Sequence, residues 1–371
     1  MALIVSETLA AAAGTTTRNR FFSPAVAATR KRLERGALRA IAANAKFSNA
    51  ATGERGLRDS ERMAACAAEA LGLDPMEVAV ASTGVIGQFM PMEKIEAGIA
   101  AAARALRPDG WSEAAQAIMT TDTRPKEAGR SIRLGSAQIA LRGIAKGVGM
   151  IHPNMGTMLS FIATDARADA GVLRSIVRGA VDRTFNSVTV DGDTSTSDTF
   201  IVMANGAAGG PAIAPGSAEE REFAAALEET MRELAVMLAA DGEGATKVIE
   251  VTVGGARSES EAREAARKVA SSSLVKTAVH GNDANWGRVC AALGNAQAEF
   301  DQANVRIAIL GVPVMERGLP TPYDEPPLQA EMRRRDRIVI EVDLGAGPAK
   351  ATAWGSDLSA EYIRINADYR T

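Results

Sequence analysis

Histidine, cysteine and aromatic residues are scarce in this 371-residue chain, which has two histidines, two cysteines and only 4% Phe, Trp and Tyr. Its hydrophobic core must therefore be built from Ala, Val, Ile, Leu and Met. With only His152 and His280 in the chain, most possible sites lack the usual general base, and no His/Cys/Asp/Glu cluster has the spacing of a metal site. Cys66 and Cys290 lie in alanine-rich, helix-like sequence, so we interpret them as packing residues of a protein in a reducing compartment.

An excess of one charge is also lacking. The 42 Lys and Arg are offset by 45 Asp and Glu, which gives a formal net charge of −3. This balance provides no electrostatic footprint for nucleic acid. A small-molecule substrate fits the composition better.

Long apolar runs are missing as well. The longest uncharged stretch, residues 199–218, contains Pro211, Pro215 and several glycines, so we expect a strand followed by a loop and no membrane span. The first residues, MALIVSETLAAAA, have no basic region and include Glu7, which is not typical of a signal peptide. The sequence predicts a cytoplasmic protein.

Short β-type runs alternate with alanine-rich helical runs, without a strict βαβ rhythm. Several of the strands are apolar on both faces, which predicts an α+β fold of layered sheets and helices. The predicted strands are residues 39–43, 78–82, 138–144, 200–204, 248–253, 305–310, 337–342 and 351–354. The predicted helices are residues 59–71, 93–106, 168–184, 218–240, 259–271 and 286–299. Residues 205–217 and 318–329 are predicted linkers, and we expect a division near residue 250 into domains 1–250 and 251–371.

The sequence does contain Gly/Thr-rich segments that are unlike ordinary surface loops. Each has a structural explanation when taken singly: Thr83 and Gly84 could form a tight turn, Lys146 could be a surface lysine, and Thr157 could be a strand residue. The acidic segment DGDTSTSD at residues 191–198 lacks the spacing of a calcium loop, so we interpret it as a hydrogen-bonded turn. No segment has the arrangement of a P-loop or of a dinucleotide-binding glycine motif.

Taken together and in order, these segments resemble the ornithine acetyltransferase family, also called glutamate N-acetyltransferase. The resemblance extends from about residue 2 to residue 371. It is carried by STGVIG, MTTDTRPK, GIAKGVGMI, PNMGTML, TFN followed by VDGDTSTSDT, DGEGATK and ANWGR. It implies an αββα-type layered sandwich of the N-terminal-nucleophile kind, with a smaller second α/β domain.

The resemblance also implies a precursor that cuts its own chain between Gly156 and Thr157, leaving residues 1–156 and 157–371 associated as an α₂β₂ assembly. The freed α-amine of Thr157 has an ordinary pKa near 7.7–8.0 and could take the proton of the Thr157 hydroxyl. This arrangement would allow acyl transfer without a histidine. The family more often has alanine before the threonine, but glycine tolerates more backbone conformations, so we expect cleavage to persist.

The implied reaction moves an acetyl group from N-acetylornithine to Thr157, releases ornithine, and then transfers the acetyl group to glutamate. No dissociable cofactor is needed. Matched residue by residue, the family assigns the oxyanion hole to Thr83 and Gly84. Its substrate-binding positions match Thr121, Lys146, Thr157, Glu243, Asn366 and Thr371.

The chain departs from the family in the segment 44–53, where Lys46 and Phe47 interrupt an Asn/Ala-rich pattern. We expect this change to affect the choice of acyl donor or acceptor. Three alternatives therefore remain: a related amidohydrolase or aminopeptidase with the same nucleophile, an acyltransferase of a secondary-metabolite pathway, and an uncleaved binding protein.

Overall fold

A computed structural model describes residues 1–152 and 158–368 of the chain. The described strands are β1 Ala2–Thr16, β2 Ala37–Asn44, β3 Val78–Ser82, β4 Lys126–Leu134, β5 Ala137–Lys146, β6 Leu159–Thr164, β7 Arg167–Ala168, β8 Val188–Thr189, β9 Thr199–Ala204, β10 Ala212–Ile213, β11 Val248–Ala256, β12 Arg306–Ile309, β13 Val312–Glu316, β14 Leu319–Pro320, β15 Arg337–Asp343 and β16 Ala349–Ser356. The described helices are α1 Pro24–Glu34, α2 Gly53–Leu71, α3 Met92–Arg104, α4 Trp111–Ala117, α5 Ala170–Arg183, α6 Ala218–Ala240, α7 Glu259–Ser271, α8 Ser273–His280, α9 Trp286–Leu293, α10 Glu325–Arg334 and α11 Ala360–Asp368.

A seven-stranded mixed sheet, in the order β3-β2-β1-β9-β6-β5-β4, carries the larger core. All residues of β9 are buried, and they alternate between the two faces. Phe200 and Val202 pack in the cluster with α5 and α6, while Ile201 and Met203 pack on the opposite face with α4. Side chains alternate in this way because successive residues of a strand point to opposite faces. The predicted α+β layered arrangement, covered on both faces, is confirmed.

The N-terminal strand β1 was not among the predicted strands. Its sequence is rich in alanine, which is depleted in strands, so local propensity does not indicate it. Its small side chains suit a crowded central position, since β1 pairs with both β2 and β9. Tertiary packing has therefore decided the structure of this segment.

Helix boundaries follow the capping residues. The bounds of α6 and α7 match the predicted ranges because Ser217 and Ser258 accept hydrogen bonds from the first turns, which also carry glutamates. The predicted helix at 286–299 is wrong beyond Leu293, where Gly294 follows. The predicted linker at 318–329 is also wrong in part, because Pro326 and Pro327 occupy the first turn of α10. The backbone N–H groups of a first turn have no partner within the helix, so proline, which has no N–H, is tolerated there.

The second seven-stranded sheet has the order β14-β13-β12-β15-β11-β16-β8. Its core packs against α7, α8 and α9. All its strands except β8 come from residues 248–356, and β8 ties residues 188–189 to this sheet. The division near residue 250 stays a prediction.

Buried Lys276 of α8 lies beside β16 and β8 at the edge of the second sheet. Its Nζ donates to the carbonyl of Val190 and, at 3.3 Å, to Oγ of Ser356. Burial lowers the pKa of Lys276 to about 8.

In residues 1–152 and 158–368, no helix combines the length and apolar character needed to cross a membrane. The uncharged stretch at 199–218 begins as β9 and continues as a loop with the short strand β10, as predicted.

Candidate active site

The loop that follows β3 carries Thr83 and Gly84, the two residues predicted to form the oxyanion hole. Gly84 has φ +129°, and a Cβ at this position would lie 2.1 Å from the backbone carbon of Lys46, so only glycine fits. The N–H of Gly84 donates to no acceptor within residues 1–152 and 158–368. Thr83 is buried, and its Oγ1 accepts a hydrogen bond of 3.4 Å from Nζ of Lys146. The loop therefore presents a free amide donor beside a hydroxyl group and a lysine.

Asn44, at the end of β2, fixes this loop. Its Oδ1 accepts from Oγ of Ser82 at 2.6 Å, and its Nδ2 donates to the carbonyl of Phe47 at 2.8 Å. The carbonyl of Lys46 accepts from the N–H of Val85 at 3.0 Å. Lys46 and Phe47 are the residues that depart from the family pattern. The backbone of Lys46 thus contacts the loop directly, and the backbone of Phe47 holds Asn44. The side chain of Lys46 is exposed, and its φ of +80° is unusual for a residue other than glycine.

Lys146 ends β5 with its side chain buried. Its Nζ donates to Oγ1 of Thr120 at 2.7 Å and lies 3.7 Å from Oδ2 of Asp122. Burial lowers the pKa of Lys146, and the charge of Asp122 acts in the opposite direction. The ammonium group is thus held by hydroxyl groups and one carboxylate, a setting in which it could receive a second, substrate carboxylate.

Asp122, which lies beside Lys146, belongs to a buried ionic cluster with Lys126 and Asp241. Lys126 Nζ lies 2.7 Å from Oδ1 of Asp122 and 2.6 Å from Oδ2 of Asp241, and all three side chains are almost fully buried. Gly147 N–H donates to Asp122 at 2.8 Å. Burial acts to raise the pKa of Asp122, but Lys146, Lys126 and this N–H outweigh it, so the pKa of Asp122 is lowered. Asp122 is therefore a stable anion beside Lys146.

Glu243 lies between the TTDT segment and the C-terminal helix. Its Oε1 accepts from Oγ1 of Thr121 and its Oε2 accepts from Nδ2 of Asn366, both at 2.9 Å. These bonds join residues that are more than 120 positions apart in the sequence. The structure thus brings three of the predicted substrate-binding residues together around one carboxylate.

The C-terminal helix α11 is docked by the DGEG segment. Ser359 Oγ donates to the carbonyl of Gly244 at 2.6 Å, and a Cβ on Gly244 would lie 2.5 Å from the backbone nitrogen of Tyr362. Tyr362 OH donates to Oδ2 of Asp191 at 3.3 Å. Close approach of α11 therefore depends on glycine at position 244, where φ is +69°.

The acidic segment 191–198 is hydrogen-bonded to its surroundings. Asp191 accepts from the backbone N–H groups of Ile151 at 3.0 Å and Asp193 at 3.3 Å. At its other end, Oδ1 of Asp198 accepts from the N–H of Met158 at 3.0 Å. This pattern agrees with the predicted hydrogen-bonded turn. In the described parts of the chain, no group of three or more His, Cys, Asp or Glu side chains is placed to hold a metal ion.

Gly156, Thr157 and Thr371 lie outside the described residues. Their predicted roles, and those of the other predicted site residues, stay predictions. Sequence reasoning missed several residues of the site, although they belong to the Gly/Thr-rich and acidic segments that it singled out. These residues are Thr120, Asp122, Lys126, Asp191, Asp198 and Asp241.

The fold is that of a class of α+β biosynthetic proteins, one of which has a known crystal structure. The crystal structure of arginine biosynthesis bifunctional protein ArgJ from Bacillus halodurans matches with a TM-score of 0.54 at 41% identity, over 55% of this chain and 96% of that chain. The sequence model of the ArgJ family matches residues 1–371, and the chain belongs to the ArgJ family.

Two relatives carry the same printed name, arginine biosynthesis bifunctional protein ArgJ. The protein from Symbiobacterium thermophilum is 52% identical over all of this chain and 92% of its own length. The protein from Geobacter sulfurreducens is 44% identical over all of this chain and 94% of its own length. The similarity thus extends across both sheets and both ends of the chain.

Proposed function

We propose that the chain is a self-cleaving glutamate N-acetyltransferase that moves an acetyl group from N-acetylornithine to glutamate through an acyl-Thr157 intermediate. The observation that carries this proposal is the placement of buried Lys146 beside Thr83, next to the free N–H of Gly84, in a chain of the ArgJ family. A cation and oxyanion donors side by side suit acyl transfer from a substrate that carries a carboxylate.

Maturation would precede transfer. The hydroxyl of Thr157 attacks the carbonyl carbon of Gly156, the peptide C–N bond breaks, and the nitrogen takes up a proton to become the new α-amine. Water then hydrolyses the resulting ester and leaves a carboxylate on Gly156.

In the acyl-transfer step, the α-amine of Thr157 takes the hydroxyl proton while the oxygen attacks the acetyl carbonyl. Thr83 and Gly84 would donate hydrogen bonds to the oxyanion. The proton passes to the leaving amine of ornithine, and the second half-reaction reverses these steps with the amine of glutamate as the nucleophile. No dissociable cofactor takes part in this scheme.

Substrate recognition would use the opposite charges of Lys146 and Glu243. Lys146 binds the substrate carboxylate, and Glu243 binds an amino group of the ornithine substrate. Thr121 and Asn366 hold the two oxygens of Glu243, which orients the carboxylate before substrate arrives. Thr371 would complete the site from the chain terminus.

The topology of the first sheet supports the proposal that the two fragments stay together after cleavage. Strands β9 and β6, from the second fragment, lie between β1 and β5, from the first fragment. The fragments could not separate without breaking the β1–β9 and β5–β6 hydrogen bonds in a buried sheet. We further propose an α₂β₂ assembly located in the cytoplasm.

The test is intact mass spectrometry of the purified protein, followed by assay with N-acetylornithine in the presence and absence of glutamate. Two fragments divided before Thr157, with ornithine release that requires glutamate, are the expected result. Ornithine release without glutamate would indicate a hydrolase. An intact 38.7 kDa chain would contradict the proposal.

A further inference from the structure

Asp191 is a half-buried carboxylate to which the proposed reaction gives no role. Its two oxygens accept hydrogen bonds from the backbone N–H groups of Met150, of Ile151 at 3.0 Å and of Asp193 at 3.3 Å. Oδ2 of Asp191 also accepts from the hydroxyl group of Tyr362, at 3.3 Å. One side chain therefore joins the segment that follows β5 to the C-terminal helix α11.

Both of these elements border the carboxylate of Glu243. In the segment after β5, the carbonyl of Val148 accepts from the N–H of Glu243 at 2.8 Å. A Cβ on Gly149 would lie 2.5 Å from Oε2 of Glu243, so the backbone of this segment lies directly against the carboxylate. From α11, Nδ2 of Asn366 donates to the same oxygen at 2.9 Å. The separation of the two elements therefore sets the space around this oxygen.

Tyr362 and Asn366 lie one turn apart on α11, so they are neighbours on the helix surface. Nδ2 of Asn366 also donates to the carbonyl of Tyr362, at 3.1 Å. Burial and the nearby charges of Asp191 and Glu243 raise the pKa of Tyr362, so its hydroxyl group keeps its proton and can donate it in a hydrogen bond. The hydrogen bond to Asp191 thus holds the turn of α11 that carries Asn366.

Resting on the proposed function, we infer that Tyr362 is a positioning residue for the acyl donor. Its hydrogen bond to Asp191 fixes α11 against the segment 148–151 and keeps Asn366 on Glu243. Glu243 is then aligned to bind the free amino group of N-acetylornithine. Glutamate has no amino group other than the one that attacks the acyl intermediate, so its reaction does not depend on this alignment.

The experiment compares Tyr362→Phe with the wild type in steady-state kinetics of the mature enzyme. When transfer passes through an acyl intermediate, kcat/KM for each substrate reports its own half-reaction. We expect Tyr362→Phe to lower kcat/KM for N-acetylornithine about tenfold, mainly through KM, and to leave kcat/KM for glutamate within about threefold. The matched control is Tyr323→Phe, which removes the hydroxyl group of a half-buried tyrosine on the core of the second sheet and should change neither value.

A double-mutant cycle tests whether Tyr362 acts through Asn366. In an Asn366→Ala background there is no amide left to position, so Tyr362→Phe should lower kcat/KM for N-acetylornithine by less than about threefold further. Independent effects would multiply instead. A further tenfold loss in the double variant would therefore overturn the inference.

Phenylalanine keeps the packing of the ring, so the variant should fold, and thermal unfolding checks this. Wild-type kcat/KM for N-acetylornithine in Tyr362→Phe would overturn the inference. Equal losses for N-acetylornithine and glutamate would also overturn it, in favour of a general loosening of the structure. Failure of the proposed function is distinguishable, because the wild-type chain would then stay uncut or fail to transfer acetyl groups.

Discussion

Nδ2 of Asn366 in the C-terminal helix lies 2.9 Å from Oε2 of Glu243, although 123 positions separate the two residues. The contact brings α11 to the carboxylate that we propose binds the amino group of the substrate. It also makes the last helix of the chain part of the candidate site.

Asn366→Ala should raise the KM for N-acetylornithine roughly tenfold and leave self-cleavage unchanged. A hydrogen bond to a charged group contributes about 1.5–3 kcal/mol, and the loss of this bond would leave Glu243 less well oriented. Steady-state kinetics of the mature enzyme measures the effect. Ile363→Ala, at a residue of the same helix that is 67% exposed, is the control and should keep the wild-type KM. An unchanged KM in Asn366→Ala would remove this residue from substrate binding.

Thr157→Ala should give a single uncut chain without acetyltransferase activity. Alanine has neither the hydroxyl group that attacks the preceding carbonyl nor the nucleophile for acyl transfer. Intact mass spectrometry of the purified variant measures the first effect and an acetyl-transfer assay measures the second. Two fragments from this variant would place the nucleophile at another residue.

Lys146→Ala should raise the KM for carboxylate substrates roughly 10–100-fold and affect self-cleavage less. The variant loses a charge-assisted hydrogen bond to the substrate, while Asp122 keeps Lys126 as its partner. Kinetics with N-acetylornithine, and a time course of cleavage, separate the two effects. Exposed Lys94 of α3 provides the control variant Lys94→Ala, for which no change is expected. If Lys146→Ala has the wild-type KM, the substrate carboxylate binds elsewhere.

Lys126→Met should destabilise the protein by about 3–5 kcal/mol. The change leaves Asp122 and Asp241 buried without the ammonium that lies between them, and breaking a buried ion pair from one side has a cost of this size. Urea unfolding monitored by circular dichroism measures the free energy of unfolding. Arg58→Met removes an exposed ion pair with Glu54 and should have little effect. Equal stability of the two variants would contradict the predicted importance of the buried cluster.

Lys276 should make the free energy of unfolding depend on pH between about 8 and 10.5. Its pKa is about 8 in the folded protein against 10.5 in the unfolded chain, so in this interval the unfolded chain binds more protons. The contribution of this group to stability therefore rises with pH, by on the order of 3 kcal/mol in total. Urea unfolding across the interval should show a shallower rise for Lys276→Met than for the wild type and Lys94→Met. Parallel curves for all three proteins would refute the prediction.

The sequence predicts best what is decided locally. Helix α6 is recognisable from the serine cap at Ser217 and the glutamates that follow it. Strand β1 is not recognisable in this way, because its alanines are stable as a strand only between β2 and β9. Local sequence patterns indicate the elements, whereas the position of an element in the sheet depends on the whole chain.

The same distinction applies to the candidate site. The Gly/Thr-rich and acidic segments predicted where functional residues lie, and resemblance suggested which of them bind substrate. Neither could show that Lys126 lies between Asp122 and Asp241, because the second contact spans 115 positions. A buried ionic cluster of this kind follows from the fold and becomes visible only once the fold is known.

The interleaving of β1, β9, β6 and β5 has a consequence for the proposed self-cleavage. The central strands β9 and β6 would belong to the second fragment, and we propose that the sheet assembles while the chain is still continuous. A chain that fails to assemble its sheet would keep its peptide bond and never acquire the amine that activates Thr157. Only molecules that had folded correctly would thus become active, and the new N-terminus at Thr157 would mark each of them.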